Sequence, residues 1–271
     1  MTWQEALDYV QEMNRQCRFA YADWRVPNRR ELRSLLSFQT SRPALPADHP
    51  FHGVFPAWYW TSTTAVINPA YAWYIDMHGG RMFYGGKDQS YLLWPVRGDG
   101  GTLLPVTGQQ SCYDSRGKPV SCAGSGQDGE FQHGQPWPKP RFHLMPGMVH
   151  DRLTNLCWLR QADLCGKTVT WADALDAVKE LNLHGDTPCC RLPNINELES
   201  LLDCAQANPA LSRPLLFEDV QNGYWSSTTS MFEADWAWAL YLDKGAVGVG
   251  QKAGSYFHVW PVCDFPGNKK Q

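Results

Sequence analysis

Two nearly identical stretches decide the fold of this chain: "WRVPNRRELRSLL" at residues 24–36 and "CRLPNINELESLL" at residues 190–202. The arginine and the glutamate of the first stretch recur in the second at the same spacing of 166 positions (191 − 25 and 197 − 31). A repeat of this length exceeds the unit of a solenoid, which has roughly 20 to 50 residues. The sequence therefore indicates a duplicated domain.

Each stretch carries the signals that begin a helix. Asn28 and Asn194 are predicted N-caps, and a glutamate three residues later completes a capping box in each copy. The arginine before each helix is assigned a structural role, because a guanidinium one turn from a glutamate favours an internal ion pair over catalysis. The predicted structural pairs are Arg25 with Glu31 and Arg191 with Glu197.

The repeated phrases that follow the helices predict short strands. "WYWTSTT" at 58–64 and "GYWSSTT" at 223–229 alternate aromatic residues with small hydroxylated ones, as in a strand with one packed face. "LLWPVRG" at 92–98 and "HVWPVCD" at 258–264 close the two copies. Helices followed by several short strands predict an α+β fold with antiparallel sheets.

These motifs, each occurring twice and in the same order, resemble the Lcl C-terminal domain family, which is typified by the C-terminal domain of the Legionella collagen-like adhesin. The resemblance covers nearly all of residues 1–98 and 142–264. It implies two tandem C-type-lectin-like domains, each with two helices, a small antiparallel sheet and long loops. It also implies a bacterial, exported protein that binds ligands at surfaces.

The expected domain division follows from the two copies. We assign 1–98 to the first domain, 99–141 to a Gly-, Pro- and Ser-rich linker, 142–264 to the second domain and 265–271 to a tail. In the implied fold the first strand pairs with the last, and the first copy lacks that first strand. We expect residues upstream in a longer natural chain, the linker near Thr102–Val106 or a neighbouring molecule to cover this open edge, which offers a route to self-association.

Cysteine usage favours an oxidising compartment. Cys112 and Cys122 flank a Gly-rich loop and are predicted to form a local disulfide, while Cys17 has no assigned partner. Six further cysteines are disulfide candidates, enough for three bridges whose connectivity stays open: Cys157, Cys165, Cys189, Cys190, Cys204 and Cys263. Nine cysteines are many for a reduced cytosolic protein, so we expect an extracellular or cell-surface location, with the signal segment absent from this chain.

Charge and hydropathy argue against nucleic-acid binding and against a membrane-spanning segment. The formal net charge is −3 and the basic residues form no stripe, so nothing points to nucleic acid. No run of eighteen or more apolar residues exists, so no membrane span is predicted.

The leading functional prediction is a non-enzymatic binding module that adheres to a glycan or protein ligand through loops of a lectin-like scaffold. The candidate ligand-binding residues are aromatic and acidic side chains in segments where the copies differ: Tyr71, Tyr84, Phe232, Glu233, Asp235 and Trp236. Glu233 and Asp235 offer oxygen ligands that suit calcium. The sugar-binding calcium motifs of animal C-type lectins are absent, however, so no cofactor or metal is predicted and calcium stays an open alternative.

Two alternatives remain open. One alternative is that the tandem domains are a structural subunit of an extracellular filament or surface assembly, which would self-associate without ligand. Formylglycine-generating enzymes share an Arg-Leu-Pro phrase that leads into an acidic helix. Their copper-binding cysteine pair has no equivalent here, since only Cys263 lies in that region, and no catalytic residue is nominated.

Overall fold

The computed structural model describes residues 1–99, 101, 103–184 and 189–265, without the side chain of residue 184. The chain divides into two compact units, of which unit 1 comprises Met1–Pro136 with Asp203–Ala207 and unit 2 comprises Trp137–Leu202 with Asn208–Gln271. Both units combine few helices with small antiparallel sheets, which confirms the mixed α+β class. Of the predicted tail at 265–271, residues 266–271 lie outside the described residues.

Unit 1 is built around a three-stranded meander. Its elements are α1 (Trp3–Arg15), a 3-10 turn (Arg18–Ala20), β1 (Trp24–Arg25), α2 (Arg29–Ser34), β2 (Trp58–Thr64), β3 (Tyr71–Asp76), β4 (Arg81–Gly86), β5 (Val96–Arg97), β6 (Cys112–Tyr113), β7 (Pro119–Val120) and α3 (Asp128–Phe131). Strands β2, β3 and β4 pair antiparallel in chain order. Strand β1 pairs with β5, and β6 pairs with β7.

Unit 2 repeats the helix pair and the meander and adds a second, larger sheet. Its elements are β8 (Phe142–Met145), β9 (Met148–Asp151), β10 (Leu156–Leu159), α4 (Trp171–His184), β11 (Cys190–Arg191), α5 (Ile195–Ser200), β12 (Gly223–Thr229), β13 (Trp236–Tyr241), β14 (Ala246–Gln251) and β15 (Val262–Asp264). Strands β12, β13 and β14 form the meander. The other sheet has the order β11-β15-β10-β9-β8.

The predicted capping boxes begin the second helix of each copy. The side chain of Asn28 accepts from the backbone of Glu31, whose carboxylate accepts from the Asn28 backbone N–H at 2.8 Å. Asn194 and Glu197 form the same reciprocal pair before α5. Each box satisfies two N–H groups that a helix start otherwise leaves unpaired.

The first helix of each copy packs its apolar face on the meander. In unit 1, Trp3 and Val10 of α1 are buried against Trp60 of β2. In unit 2, Val178 of α4 is buried against Trp225 of β12. These contacts hold the start of each first helix against the end of a meander, where the candidate site lies.

The two arginine–glutamate pairs form in the structure but differ in burial. Arg25 contacts Glu31 through two hydrogen bonds of 2.5 and 2.6 Å and donates a third to the carbonyl of Gly98. Both side chains are buried, with 5 and 8% of their surface exposed. Arg191 also contacts Glu197 at 2.5 Å, yet 44% of its side chain is exposed. The predicted pair therefore forms in both copies, but only the pair in unit 1 is buried.

Two disulfides join cysteines of the described residues. The predicted Cys112–Cys122 bridge is present, and Cys190 of β11 pairs with Cys263 of β15. The other four candidates in the second copy are free thiols: Cys157, Cys165, Cys189 and Cys204. Cys263 faces Cys157 on one side and Cys190 on the other, and it can bond to only one of them.

The linker does not pair with the closing strand of the first copy. Strand β15 in unit 2 lies between β11 and β10, whereas β5 in unit 1 has only β1 beside it within the described residues. Pro105 instead bridges Gln135, whose backbone exchanges hydrogen bonds with Leu104 and Val106. The expectation that this segment covers β5 is wrong for residues 103–106, and position 102 lies outside the described residues.

Candidate functional site

A lysine side chain lies over a tryptophan ring at the same place in each unit. Lys87 Nζ is 4.0 Å from the ring centroid of Trp3, and Lys252 Nζ is 4.3 Å from that of Trp171. The backbone N–H of each tryptophan also donates to the backbone carbonyl of its lysine at 3.1 Å. An ammonium over an indole face is an attractive arrangement, because the ring carries negative charge density on its face.

Equivalent loops border these two contacts. Lys87 N–H donates to the carbonyl of Ala70 at 3.0 Å, and Lys252 N–H donates to that of Asp235 at 2.9 Å. The first Trp–Lys site is defined as Trp3, Thr63, Thr64, Lys87 and loop 65–70. The second Trp–Lys site is defined as Trp171, Thr228, Thr229, Lys252 and loop 230–235.

Residues that follow the first copy cover the first Trp–Lys site. Lys87 Nζ donates to two consecutive backbone carbonyls, those of Tyr113 at 3.1 Å and Asp114 at 3.3 Å. Gly117 approaches the loop so closely that a Cβ atom there would lie 2.7 Å from the backbone nitrogen of Ala70. Only glycine fits at this position, which has a positive φ of 80°.

Two polar side chains of the same covering segment bind the threonines. The hydroxyl of Thr63 donates to Asp128 Oδ2 at 2.7 Å. Gln109 Oε1 accepts from the Thr64 backbone N–H at 2.7 Å, and Gln109 Nε2 donates to the Thr64 carbonyl at 2.9 Å. A carboxylate and an amide of the covering segment thus bind polar groups at the buried end of β2.

Burial under this segment changes the acid–base chemistry of two groups. The Lys87 side chain has only 1% of its surface exposed, and this desolvation lowers its pKa to about 7 although the Asp114 carboxylate opposes the shift. Burial likewise raises the pKa of Asp128 to about 6, against the hydrogen bonds from Thr63 and Thr107. Both shifts favour the neutral form, as expected for charges that have lost their water.

The second Trp–Lys site is open to solvent. Thr229 is exposed and Thr228 half-buried, whereas their counterparts Thr64 and Thr63 are fully buried. Lys252 Nζ donates to Thr229 Oγ1 at 2.9 Å and to the carbonyl of Ala234 at 3.0 Å, so both partners belong to its own site. The Trp–Lys contact of the first site is therefore repeated in the second, where no covering segment is present within the described residues.

Four of the residues predicted from the sequence lie at or beside the second site. Phe232, Glu233 and Asp235 belong to its loop, and Trp236 begins β13 directly afterwards. Met231 and Phe232 expose 60 and 36% of their surface. Backbone bonds fix the loop, since the Trp236 N–H donates to the Glu233 carbonyl at 3.0 Å.

The other two predicted residues form a separate contact in unit 1. Tyr71 of β3 and Tyr84 of β4 stack with ring centroids 5.9 Å apart. Tyr84 also meets Trp73 edge-on at 5.2 Å. The two tyrosines therefore belong to an aromatic row on the unit 1 meander, not to the loop that carries the other four.

Sequence reasoning missed the residues that define the second site: Trp171, Thr228, Thr229 and Lys252. A signal was available, since Lys87 and Lys252 each follow the last meander strand and lie 165 positions apart (252 − 87). The spacing of Thr63 from Thr228 is the same (228 − 63).

The described residues offer little for metal or covalent chemistry. No group of three or more His, Cys, Asp or Glu side chains in this part of the chain has an arrangement that would hold a metal ion. His258 Nδ1 lies 2.7 Å from Asp163 Oδ2, but within the described ranges no hydroxyl or thiol side chain bonds to His258. No helix there is both long and apolar enough to cross a bilayer.

Comparison with known proteins agrees with the internal duplication. The model of the Lcl C-terminal domain family matches the chain twice, at residues 1–97 and 147–263. No curated protein and no solved structure gives a match. The matched residues cover most of the chain and contain both Trp–Lys sites, so the chain belongs to the Lcl C-terminal domain family and carries two tandem copies of its domain.

Proposed function

We propose that this protein is a non-enzymatic binding module, secreted or displayed on a bacterial surface, that adheres to a glycan or protein ligand. Membership of the Lcl C-terminal domain family supports a bacterial surface-associated domain. The disulfides Cys112–Cys122 and Cys190–Cys263 support an oxidising, extracellular location.

The observation that carries the proposal is the exposed loop of the second Trp–Lys site. Met231 and Phe232 present apolar surface next to the acids Glu233 and Asp235. Exposed aromatic side chains beside polar groups are typical of binding surfaces, where loops on a rigid scaffold contact the ligand. Buried hydrophobic contacts of α4 with β12 provide that rigid scaffold.

The scaffold is proposed to be C-type-lectin-like, with domains at 1–98 and 142–264 joined by a linker at 99–141. In unit 2, strand β10 near the start of the domain pairs with β15 at its end, as the lectin-like topology requires. Two helices precede a three-stranded meander in both copies, which also agrees with this topology.

A glycan array and an array of extracellular matrix proteins, probed with the labelled full chain, test this function. Phe232→Ala and Trp236→Ala should weaken binding to any retained ligand by about tenfold or more, as for aromatic residues at the centre of an interface. Leu144→Ala provides the matched control, because it removes an exposed apolar side chain from β8 of the same unit. Binding that all three variants retain, or no binding on either array, would contradict the proposal.

A second candidate is a structural subunit of a surface assembly. Among the residues that the structure describes, β5 has a strand on one side only, which favours this function, since an unpaired strand edge offers backbone groups to another chain. Light scattering distinguishes the two functions. Without ligand, the molar mass of a subunit should increase with its concentration, whereas that of an adhesion module should stay constant.

A further inference from the structure

The chain contains one binding surface in two states, covered in unit 1 and open in unit 2. In the covered state, four polar groups of the segment 106–131 bind Lys87, Thr63 and Thr64 of the first Trp–Lys site. These groups are two consecutive backbone carbonyls, one carboxylate and one side-chain amide. The covered site therefore shows which ligand groups this surface accepts.

The second Trp–Lys site retains the two side-chain donors that bind the carbonyls and the carboxylate in the first site, as Lys252 and Thr228. An ammonium has three N–H donors, and the structure uses two of those on Lys252, for Thr229 and Ala234. Thr228 Oγ1 accepts from the Ile195 N–H at 3.1 Å, just as Thr63 Oγ1 accepts from the Arg29 N–H at 3.0 Å.

The Thr228 hydroxyl differs from that of Thr63 in one respect. Thr63 donates its proton to the Asp128 carboxylate, whereas within the described residues the Thr228 hydroxyl has no acceptor. Thr228 is also half-exposed, so a ligand carboxylate has access to it. A donor fixed in place by its own accepted bond is well suited to a carboxylate, because charge-assisted hydrogen bonds are stronger than neutral ones.

We propose that the second Trp–Lys site binds a carboxylate-bearing peptide segment of a partner protein, in the manner in which segment 106–131 binds the first site. Its carboxylate accepts from Thr228, and one of its backbone carbonyls accepts from the remaining N–H of Lys252. Consecutive carbonyls and a side-chain amide are features of a peptide, which selects this ligand class over a glycan. This inference rests on the proposed binding function. Of the two ligand classes proposed there, glycan and protein, it selects protein.

A synthetic peptide of residues 106–131, closed by its Cys112–Cys122 disulfide and fluorescently labelled, tests the inference by anisotropy with the full chain. We expect saturable binding that weakens by about tenfold or more in Lys252→Met and in Thr228→Val, since each removes a hydrogen bond to a ligand group. Thr228→Ser keeps the hydroxyl and should restore binding. Lys244→Met is the matched control, because Lys244 lies over Tyr241 in the turn that precedes β14, outside the second site.

Three results would overturn the inference. The first is no binding of the peptide, and the second is binding that Lys252→Met and Thr228→Val leave unchanged. The third is binding that weakens in Lys87→Met instead, which would mean that the peptide binds at the first site. A peptide with Asp128→Asn should bind more weakly than the original one. A ligand on the glycan or protein array that depends on Phe232, together with no peptide binding, would sink this inference and leave the proposed function standing.

Discussion

Lys87 is buried with its ammonium nitrogen 4.0 Å from the ring centroid of Trp3, whereas Lys252 holds the same place over Trp171 in a site open to solvent. The sequences at the two places are alike, so the difference comes from the segment that covers the first site. Tyr113 supplies one of the carbonyls that replace water around the Lys87 ammonium. The duplicated domain thus presents one closed and one open version of the same polar surface.

The buried lysine should make folding stability depend on pH. Burial lowers the pKa of Lys87 to about 7, from an ordinary value of 10.5 in the unfolded chain. Between these values the unfolded chain binds one more proton than the folded chain, so the contribution of Lys87 to stability rises with pH. The free energy of unfolding of the wild type minus that of Lys87→Met should therefore increase from pH 7 to 9, by up to about 1.4 kcal/mol per pH unit.

Urea unfolding at pH 7, 8 and 9 measures this difference. Thr64→Val is the control, because it changes the same site without removing a titrating group, and its difference from the wild type should stay constant. A constant difference for Lys87→Met would mean that the buried lysine keeps its proton throughout this range.

The two arginine–glutamate pairs should contribute differently to the free energy of unfolding. Arg25→Ala leaves Glu31 buried without its cation, which costs about 3 to 5 kcal/mol. Arg191→Ala removes a partner whose side chain is 44% exposed, so its cost should be about 1 kcal/mol or less. Denaturant unfolding of both variants checks this ordering, and equal losses would be evidence against the difference in burial.

Cys157 should form a disulfide with Cys263 when Cys190, the native partner of Cys263, is replaced. Cys157 and Cys190 face Cys263 from the two neighbouring strands, at a Cα separation typical of antiparallel partners and short enough for a disulfide. In Cys190→Ser refolded in a glutathione buffer, peptide mapping by mass spectrometry should find a Cys157–Cys263 bridge.

Cys263→Ser is the control for this experiment. Cys157 and Cys190 then lie two strand spacings apart, roughly 10 Å, and should both remain reduced. If Cys263 and Cys157 both stay free in Cys190→Ser, the register of β10 against β15 is wrong.

The two native bridges should stabilise different units. The chain-entropy relation gives about 3 kcal/mol for the Cys112–Cys122 bridge, which spans 10 positions, and about 4 kcal/mol for the Cys190–Cys263 bridge, which spans 73. Hydrogen exchange of the two double alanine variants should show lost protection in unit 1 for the first pair and in unit 2 for the second. Loss confined to unit 2 in both variants would contradict the assignment of the first bridge.

Local features of this fold were predictable from sequence. The capping boxes at Asn28 and Asn194 and the arginine–glutamate contacts join residues within one or two turns of each other, so their spacing alone specifies them. The Cys112–Cys122 bridge closes a short loop and was predictable for the same reason.

Contacts between distant residues were not predictable. Lys87 meets Trp3 and Tyr113 across stretches with no sequence pattern that links them. The exposure of Arg191, in contrast to Arg25, depends on what packs above an otherwise identical motif. Four of the six candidate ligand residues lie at or beside one site because they are close together in sequence. Lys252 is distant from them in sequence and lies at that site because the meander strands β13 and β14 pair.

Amine acetylation of the native full chain, followed by peptide mapping, tests most directly whether one Trp–Lys site is covered and the other open. Lys252 should react rapidly, while Lys87 should stay protected although its lowered pKa would make an accessible amine more reactive. Reduction of the Cys112–Cys122 bridge should loosen the covering segment and speed the acetylation of Lys87. Acetylation of Lys87 as fast as that of Lys252 in the unreduced protein would contradict the account.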